Sequence, residues 1–275
     1  MDFFDLIKAI ILGFVEGVTE FAPVSSTGHM IIVDDLWLKT TEFLGQYSAN
    51  TFKIVVQLGS ILAVVVVMWK RILSLVGLYK IKGQTASKKF NLGHVFVGIL
   101  PAGIFGVLFE DFIDENLFFI STVIIGLIVG AIWMIIADKF APKRPAITSL
   151  DELSYGKAFK IGLIQCLSLW PGFSRSGATI SGGVILGLDH KTASDFTFIM
   201  AVPIMAGASG ISLLKNWEHI NPDHFAFYAV GFISAFVFAL ISIKFFLKLI
   251  SRVKLVPFAI YRLILAAILI VIVYL

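Results

Sequence analysis

EGVTEFAPVSSTGHM, residues 16–30, sets two carboxylates, the hydroxyls of Ser25, Ser26 and Thr27, and one imidazole inside an otherwise apolar run. Such groups are costly to bury unpaired. With residues 6–21 read as helix, Glu16 and Glu20 stand on one face, where they repel unless a cation or a proton sits between them. Pro23 stops that helix, and Ser25, Ser26, Thr27 and Gly28 supply hydroxyls and amides suited to a helix start that holds an anion. His29 is close enough to join them. Taken alone the pattern is weak, because a Glu, Ser or His near a helix end is commonly a cap. Inside a membrane the same side chains are rare and usually functional.

Composition places the stretch in a membrane. The chain has 275 residues, 58% hydrophobic and only 15% charged, with a mean hydropathy of +0.95, against the roughly 25% charged usage of soluble domains. It reads as an integral membrane protein, and its formal charge of +4 then serves topology and anionic lipid rather than nucleic acid. The single cysteine, Cys166, allows no internal disulfide and sits in an apolar context that suits a buried thiol. The N-terminus lacks the basic start of a cleavable signal peptide, and its apolar run leads into the polar stretch rather than a cleavage site.

Residues 3–22 are apolar but interrupted by Asp5, Lys8, Glu16 and Glu20; the chain breaks at Pro23 and resumes weakly to Leu38. Neither half crosses a ~30 Å hydrocarbon core, which needs ~20 helical residues. A re-entrant hairpin fits better, its irregular tip covered by protein or facing a wet cavity. Cleaner spans follow at about 50–69, 92–109, 117–137, 195–214, 225–247 and 256–275. Between the third and fourth, residues 156–190 repeat the opening character: a short apolar piece, a proline, a hydroxyl-rich turn, another short piece. At one constant offset Gly13 matches Gly162, Ser25 matches Ser174, Thr27 matches Ser176, Gly28 matches Gly177 and Ile31 matches Ile180, while Glu16 falls opposite Gln165.

Each copy is followed by three spans, and an odd number of crossings inserts the halves in opposite orientations. The expected architecture is an all-α polytopic membrane protein, an inverted-topology repeat of two re-entrant helical hairpins plus six transmembrane helices. Residues 1–137 form the first repeat, 156–275 the second and 138–155 a connecting cytoplasmic loop. Residues 70–91 carry Lys70, Arg71, Lys80, Lys82, Lys88 and Lys89 with no acidic residue, which marks the cytoplasmic side. The acidic stretch Glu110, Asp111, Asp114, Glu115 then lies outside, and Lys244, Lys248, Arg252 and Lys254 mark a second cytoplasmic turn. The first hairpin enters from outside, the second from inside, and their tips should converge.

At the second tip Arg175 lies between Ser174 and Ser176, with Thr179 one helical turn beyond Ser176. An intramembrane arginine needs an anionic partner, and its planar fork suits phosphate oxygens; a structural ion pair with Glu16 or Glu20 would satisfy it too. Together the tips offer Glu16 and Glu20 for Mg²⁺ or Ca²⁺, Arg175 and the hydroxyls of Ser25, Ser26, Thr27, Ser174, Ser176 and Thr179 for phosphate, and Ser26 or His29 as nucleophile. This inventory suits hydrolysis of a lipid phosphoanhydride. Ser26 would need His29 or Glu20 as base; direct attack by His29, or by water assisted by Glu20, stays open. A lipid-phosphate transporter or flippase is the chief alternative, since inverted repeats and broken helices also build transporters.

EGVTEFAPVSSTGHM together with PGFSRSGAT, residues 171–179, resembles the bacterial undecaprenyl pyrophosphate phosphatases of the bacitracin-resistance type, and the similarity of pattern covers nearly the whole chain. The resemblance carries that family's first motif onto Glu16, Glu20, Ser26 and His29 and its second onto Ser174, Arg175, Ser176 and Thr179. It implies removal of the terminal phosphate from undecaprenyl pyrophosphate at the outer face of the plasma membrane, with a divalent cation. The product would be carrier lipid recycled for cell-wall synthesis, with bacitracin tolerance on overproduction. The implied partners are the polyprenyl pyrophosphate substrate and the bilayer, with no nucleic acid; a homodimer is an allowed assembly.

Overall fold

A computed structural model describes residues 3–81, 84, 89–117, 119–215, 217 and 221–274. The described residues are helical throughout, apart from turns and one isolated bridge between Ile147 and Leu188. Lys82 and Lys88 of the basic stretch lie outside the described residues, as does the side chain of Asp114.

The chain opens with α1 (Phe3–Thr19), turns through Pro23, and resumes as α2 (Ser26–Met30), which runs on as a π-helix (Ile31–Leu38). Helix α1 starts and ends earlier than the span 6–21 read from the sequence. Glu20 falls just past its last residue, although its N–H still bonds the Glu16 carbonyl at 3.0 Å. Two further helices precede the basic stretch: α3 (Thr40–Leu44) and α4 (Gln46–Val67), followed directly by the short α5 (Trp69–Leu75). Next come α6 (Leu92–Leu108), α7 (Glu110–Asn116) and α8 (Ile120–Phe140). The acidic stretch is thus a short helix rather than an open loop, with Glu110 and Asp111 in the first turn where the helix dipole favours them.

After the connection, α9 (Tyr155–Gln165) leads through a 3-10 turn and Pro171 into α10 (Arg175–Ile185). The chain finishes with α11 (His190–Lys215), α12 (Phe225–Val253) and α13 (Val256–Tyr274). Among the described residues, five helices are long and apolar enough to cross a membrane: α4, α8, α11, α12 with its 3-10 lead-in from Pro222, and α13. The sixth expected span, α6, is apolar but has only 17 residues, with Pro101 inside it.

Contacts sort the helix ends into two groups. At one end Arg71 grips both oxygens of Asp151 at 2.9 and 3.0 Å, and Asp151 also accepts from Gln84 and the Phe90 amide. Nearby in sequence to that connection, Asp138 takes His190 at 2.7 Å and caps the start of α13 through the amides of Leu255 and Val256. The Lys215–Glu110 pair at 2.9 Å ties the end of α11 to the start of α7. Burial pushes the Asp151 carboxyl up, yet the hydrogen bonds from Phe90, Gln84 and Arg71 together hold it below the usual carboxylate range.

The polar turns are held by close helix contacts. Helix α1 lies alongside α12, with Ser234 donating to the Ile10 carbonyl and Ser242 to that of Val18. A Cβ on Gly13 would sit 2.5 Å from the Gly231 carbonyl oxygen, and one on Gly162 only 2.3 Å from that of Gly98 on α6. The glycine shared by both copies of the sequence pattern is therefore the point where backbone meets backbone in each.

Candidate active site

Both turns end on a serine with left-handed backbone, φ 70° at Ser25 and φ 73° at Ser174. That conformation is unfavourable for a residue with a Cβ, by about 1–3 kcal/mol, and such residues concentrate at functional sites. Each serine caps the next helix in the same way. Ser25 Oγ accepts from the Gly28 amide at 3.4 Å, and Ser174 Oγ from the Gly177 amide at 3.1 Å. The first amides of α2 and α10 have no acceptor within their helices, which makes each turn a place for an anion.

The turns touch through two polar links, at Glu20 and at Ala22. Arg175 Nη2 donates to Glu20 Oε1 at 3.0 Å, and Ser26 Oγ donates to Glu20 Oε2 at 2.7 Å. One carboxylate thereby joins the hydroxyl of the first turn to the guanidinium of the second, both through charge-assisted bonds. Ser176 Oγ donates to the Ala22 carbonyl at 3.1 Å, so the 3.2 Å contact between Ser174 and Ser176 has Ser174 as donor. Arg175 is further held by the Thr197 carbonyl of α11 at 3.3 Å.

A cavity of about 130 Å³ opens onto Glu20, Ser25, Ser26, Thr27, Ser174 and Arg175. A second, of about 210 Å³, is lined by Glu16, Asp35 and Lys53, and shares Ser26, Thr27 and Gln57 with the first. Glu16 and Glu20 therefore face adjoining compartments, because α1 ends between them. Glu16 is 2% exposed, and its Oε1 has no hydrogen-bond partner among the described residues.

Ser176 and Thr179 are buried and line neither cavity; Thr179 donates to the Arg175 carbonyl and accepts from Thr197. They support the second turn rather than face the space beside it. His29 lines neither cavity as well. Its Nδ1 lies 2.8 Å from the Ser25 carbonyl, which can only accept, so Nδ1 carries the proton and Nε2 accepts the Tyr261 hydroxyl at 2.6 Å. The carboxylate beside Ser26 is Glu20.

Residues that the motifs passed over are Gln57, at the junction of the cavities, and Lys53, paired with Asp34 and Asp35. Their signal was a charged and an amide side chain in the helix α4, which is long and apolar enough to cross a membrane. The donors fit a divalent cation: the unpartnered Glu16 oxygen, Glu20 and the Ser26 hydroxyl are hard oxygen ligands around connected space. No cluster of three or more His, Cys, Asp or Glu occurs among the described residues. A Mg²⁺-type ion held by one or two carboxylates, with phosphate and water completing its shell, is the form this set would support.

Comparison with known proteins covers the segments that hold both turns. The family model described as bacitracin resistance protein BacA matches residues 9–268. The undecaprenyl-diphosphatase of Exiguobacterium sibiricum is 69% identical over 100% of both chains. That of Geobacillus thermodenitrificans is 63% identical over 97% of each, and that of Bacillus subtilis 57% identical over 99% of each.

Proposed function

The chain belongs to the BacA family of bacitracin resistance proteins, and from that premise we propose that the two turns form the active site of an undecaprenyl-diphosphatase. The protein is a multi-pass membrane protein, and its activity is that of its relatives: hydrolysis of a polyprenyl diphosphate to the monophosphate and inorganic phosphate. The observation that carries the assignment of residues is the bridge from Ser26 through Glu20 to Arg175 beside a cavity.

Ser26 is the nucleophile. Its hydroxyl gives its proton to Glu20 as Oγ attacks the terminal phosphorus; the new Ser26–phosphate bond forms as the phosphoanhydride bond breaks and the lipid monophosphate leaves. Water then cleaves the phosphoserine, releasing inorganic phosphate, with Glu20 again handling the proton. Arg175 holds the equatorial phosphate oxygens, exchanging part of its bond to Glu20 for the substrate, while the amides at the start of α2 and α10 face the same anion. A divalent cation, Mg²⁺ or Ca²⁺, would be held by Glu16 and Glu20; when bound it neutralises diphosphate charge. His29 braces Ser25 and so fixes the residue before Ser26.

The two halves form an inverted repeat, residues 1–137 and 156–275, with re-entrant hairpins entering from opposite sides. What supports this reading is the matching serine caps, the glycine contacts of α1 with α12 and of α9 with α6, and the separation of helix ends. The basic end is cytoplasmic and the acidic α7 lies outside. The site serves carrier-lipid recycling at the outer face of the plasma membrane, supporting peptidoglycan synthesis and bacitracin resistance.

The test is phosphate release by purified protein in detergent from a water-soluble short-chain isoprenyl diphosphate. Release that stops in Ser26→Ala, with a phosphoserine trapped from wild type, is the expected result. Binding or lipid translocation without release would favour a transporter. An acid-labile, base-stable adduct that vanishes in His29→Ala would move the nucleophile to histidine.

A further inference from the structure

Helix α13 is apolar apart from Tyr261 and Arg262 and the tyrosine near its end, and this adjacent pair reaches both turns. Arg262 is 0% exposed. Its Nη2 donates to the carbonyls of Gly172 at 2.8 Å and Gly126 at 3.1 Å, and its Nη1 faces Met134 Sδ at 3.4 Å. Its partners among the described residues are two carbonyls and a thioether, none of them an anion, and Nε has none. A buried cation without a counter-ion is expensive, and an arginine survives in an apolar span where its fork or charge is used.

The fork is used on the second turn. Gly172 lines the site cavity and has φ 87°, a conformation held by Arg262 on its carbonyl and by α8 pressing from behind; a Cβ on Gly172 would lie 2.2 Å from the Val123 carbonyl oxygen. Helix α8 is also cleared for the guanidinium, since a Cβ on Gly130 would lie 2.3 Å from Nη2. The preceding residue serves the first turn. Tyr261 stacks on His29 with ring centroids 5.6 Å apart and planes 6° apart, and gives it the 2.6 Å hydrogen bond. That bond fixes the His29 tautomer whose Nδ1–H holds the Ser25 carbonyl.

We propose that Tyr261 and Arg262 are positioning residues for the phosphatase reaction, α13 acting as the common abutment that sets the Ser25–Ser26 turn and the Gly172–Arg175 turn in register. Tyr261 works through His29 and Ser25, Arg262 through the carbonyl of Gly172. The inference rests on the phosphatase reading above. Packing alone would account for an apolar residue at either position, but not for a hydroxyl aimed at an imidazole or a fork spent on two carbonyls.

The experiment measures kcat and KM per folded molecule of monodisperse full-length protein with the short-chain diphosphate. Tyr261→Phe removes one oxygen and keeps the ring; kcat should fall about tenfold with KM little changed, the scale seen when groups supporting a site residue are lost. Arg262→Lys keeps the charge but loses the fork, and kcat should fall by about 10 to 100-fold. In a His29→Ala background, Tyr261→Phe should add no further loss, because its effect passes through the imidazole. Wild-type kcat in folded Tyr261→Phe, or a full further loss on top of His29→Ala, would overturn the inference; this variant carries the test even where Arg262→Lys does not fold. A wild-type protein that releases no phosphate would instead overturn the phosphatase reading.

Discussion

The two turns share one backbone device and divide the chemistry between them. Each places a serine at positive φ, caps a helix with its hydroxyl and leaves the helix's first amides for an anion. The first turn then carries Glu16, Glu20 and Ser26, the anionic half and, on the proposed mechanism, the nucleophilic one. In the second, Glu16 is replaced by the buried Gln165, whose amide atoms have no partner among the described residues, and the charge is Arg175. On the reading proposed above, one half attacks and the other holds, and the Glu20–Arg175 link joins them.

The largest effect should come from cutting that link on the side that also bears the proton transfer. Glu20→Gln keeps shape but removes the base beside Ser26 and the partner of Arg175, so kcat per folded molecule should fall about 10³-fold. Arg175→Ala should cost about 2–4 kcal/mol of transition-state stabilisation, with Arg175→Lys intermediate because the planar fork is lost. Near-normal kcat in Arg175→Ala, with a reduced folded fraction, would make the second turn a structural prop rather than half a site.

Swapping the differing pair sharpens the comparison further. Glu16→Gln makes the first half resemble the second, and the Mg²⁺ or Ca²⁺ concentration needed for half-maximal activity should rise about tenfold or more. Chelator treatment should abolish wild-type activity, and either cation should restore it. Gln165→Glu puts an unpaired carboxylate into a buried position and should lower stability without improving turnover. Unchanged cation dependence in Glu16→Gln would separate Glu16 from the metal.

Where the copies agree, they should respond alike. Gly13→Ala and Gly162→Ala each drive a methyl into a facing backbone, and each should cost about 1–3 kcal/mol of stability, seen as a lowered unfolding midpoint. A harmless alanine at one position would break the equivalence.

Much of this was legible beforehand. Proline and hydroxyl clusters interrupting apolar runs gave away both turns, and the constant offset paired Ser25 with Ser174 before their shared φ was seen. Charge logic also brought Glu20, Ser26 and Arg175 together. The division of Glu16 and Glu20 between cavities was not legible, because periodicity assumes an unbroken helix and α1 ends at Thr19. Nor was the role of His29: sequence spacing puts it near Ser26, while its bonds to Ser25 and Tyr261 depend on a helix more than two hundred residues away. Ser176 and Thr179 belong to the motif yet are turned into the packing, where a motif cannot distinguish a ligand from its support.

The smallest effect lies at the basic end, remote from both turns. Asp151 has its pKa lowered in the folded protein, so its contribution to stability is present above the ordinary carboxylate range and is lost as pH falls through the folded value. Wild type should therefore lose stability relative to Asp151→Asn on acidification below about pH 4, and be the more stable of the two at neutral pH. A pH-independent difference would leave the Arg71–Asp151 contact without an ionic part.

The central claim, that the two turns make one site, is tested most directly by a double-mutant cycle on kcat/KM with Glu20→Gln, Arg175→Lys and the pair. One shared site predicts strong coupling: the double variant should be about as slow as the worse single one, because either change already breaks the Ser26–Glu20–Arg175 bridge. Losses that simply multiply, each variant acting as though the other residue were untouched, would contradict the account.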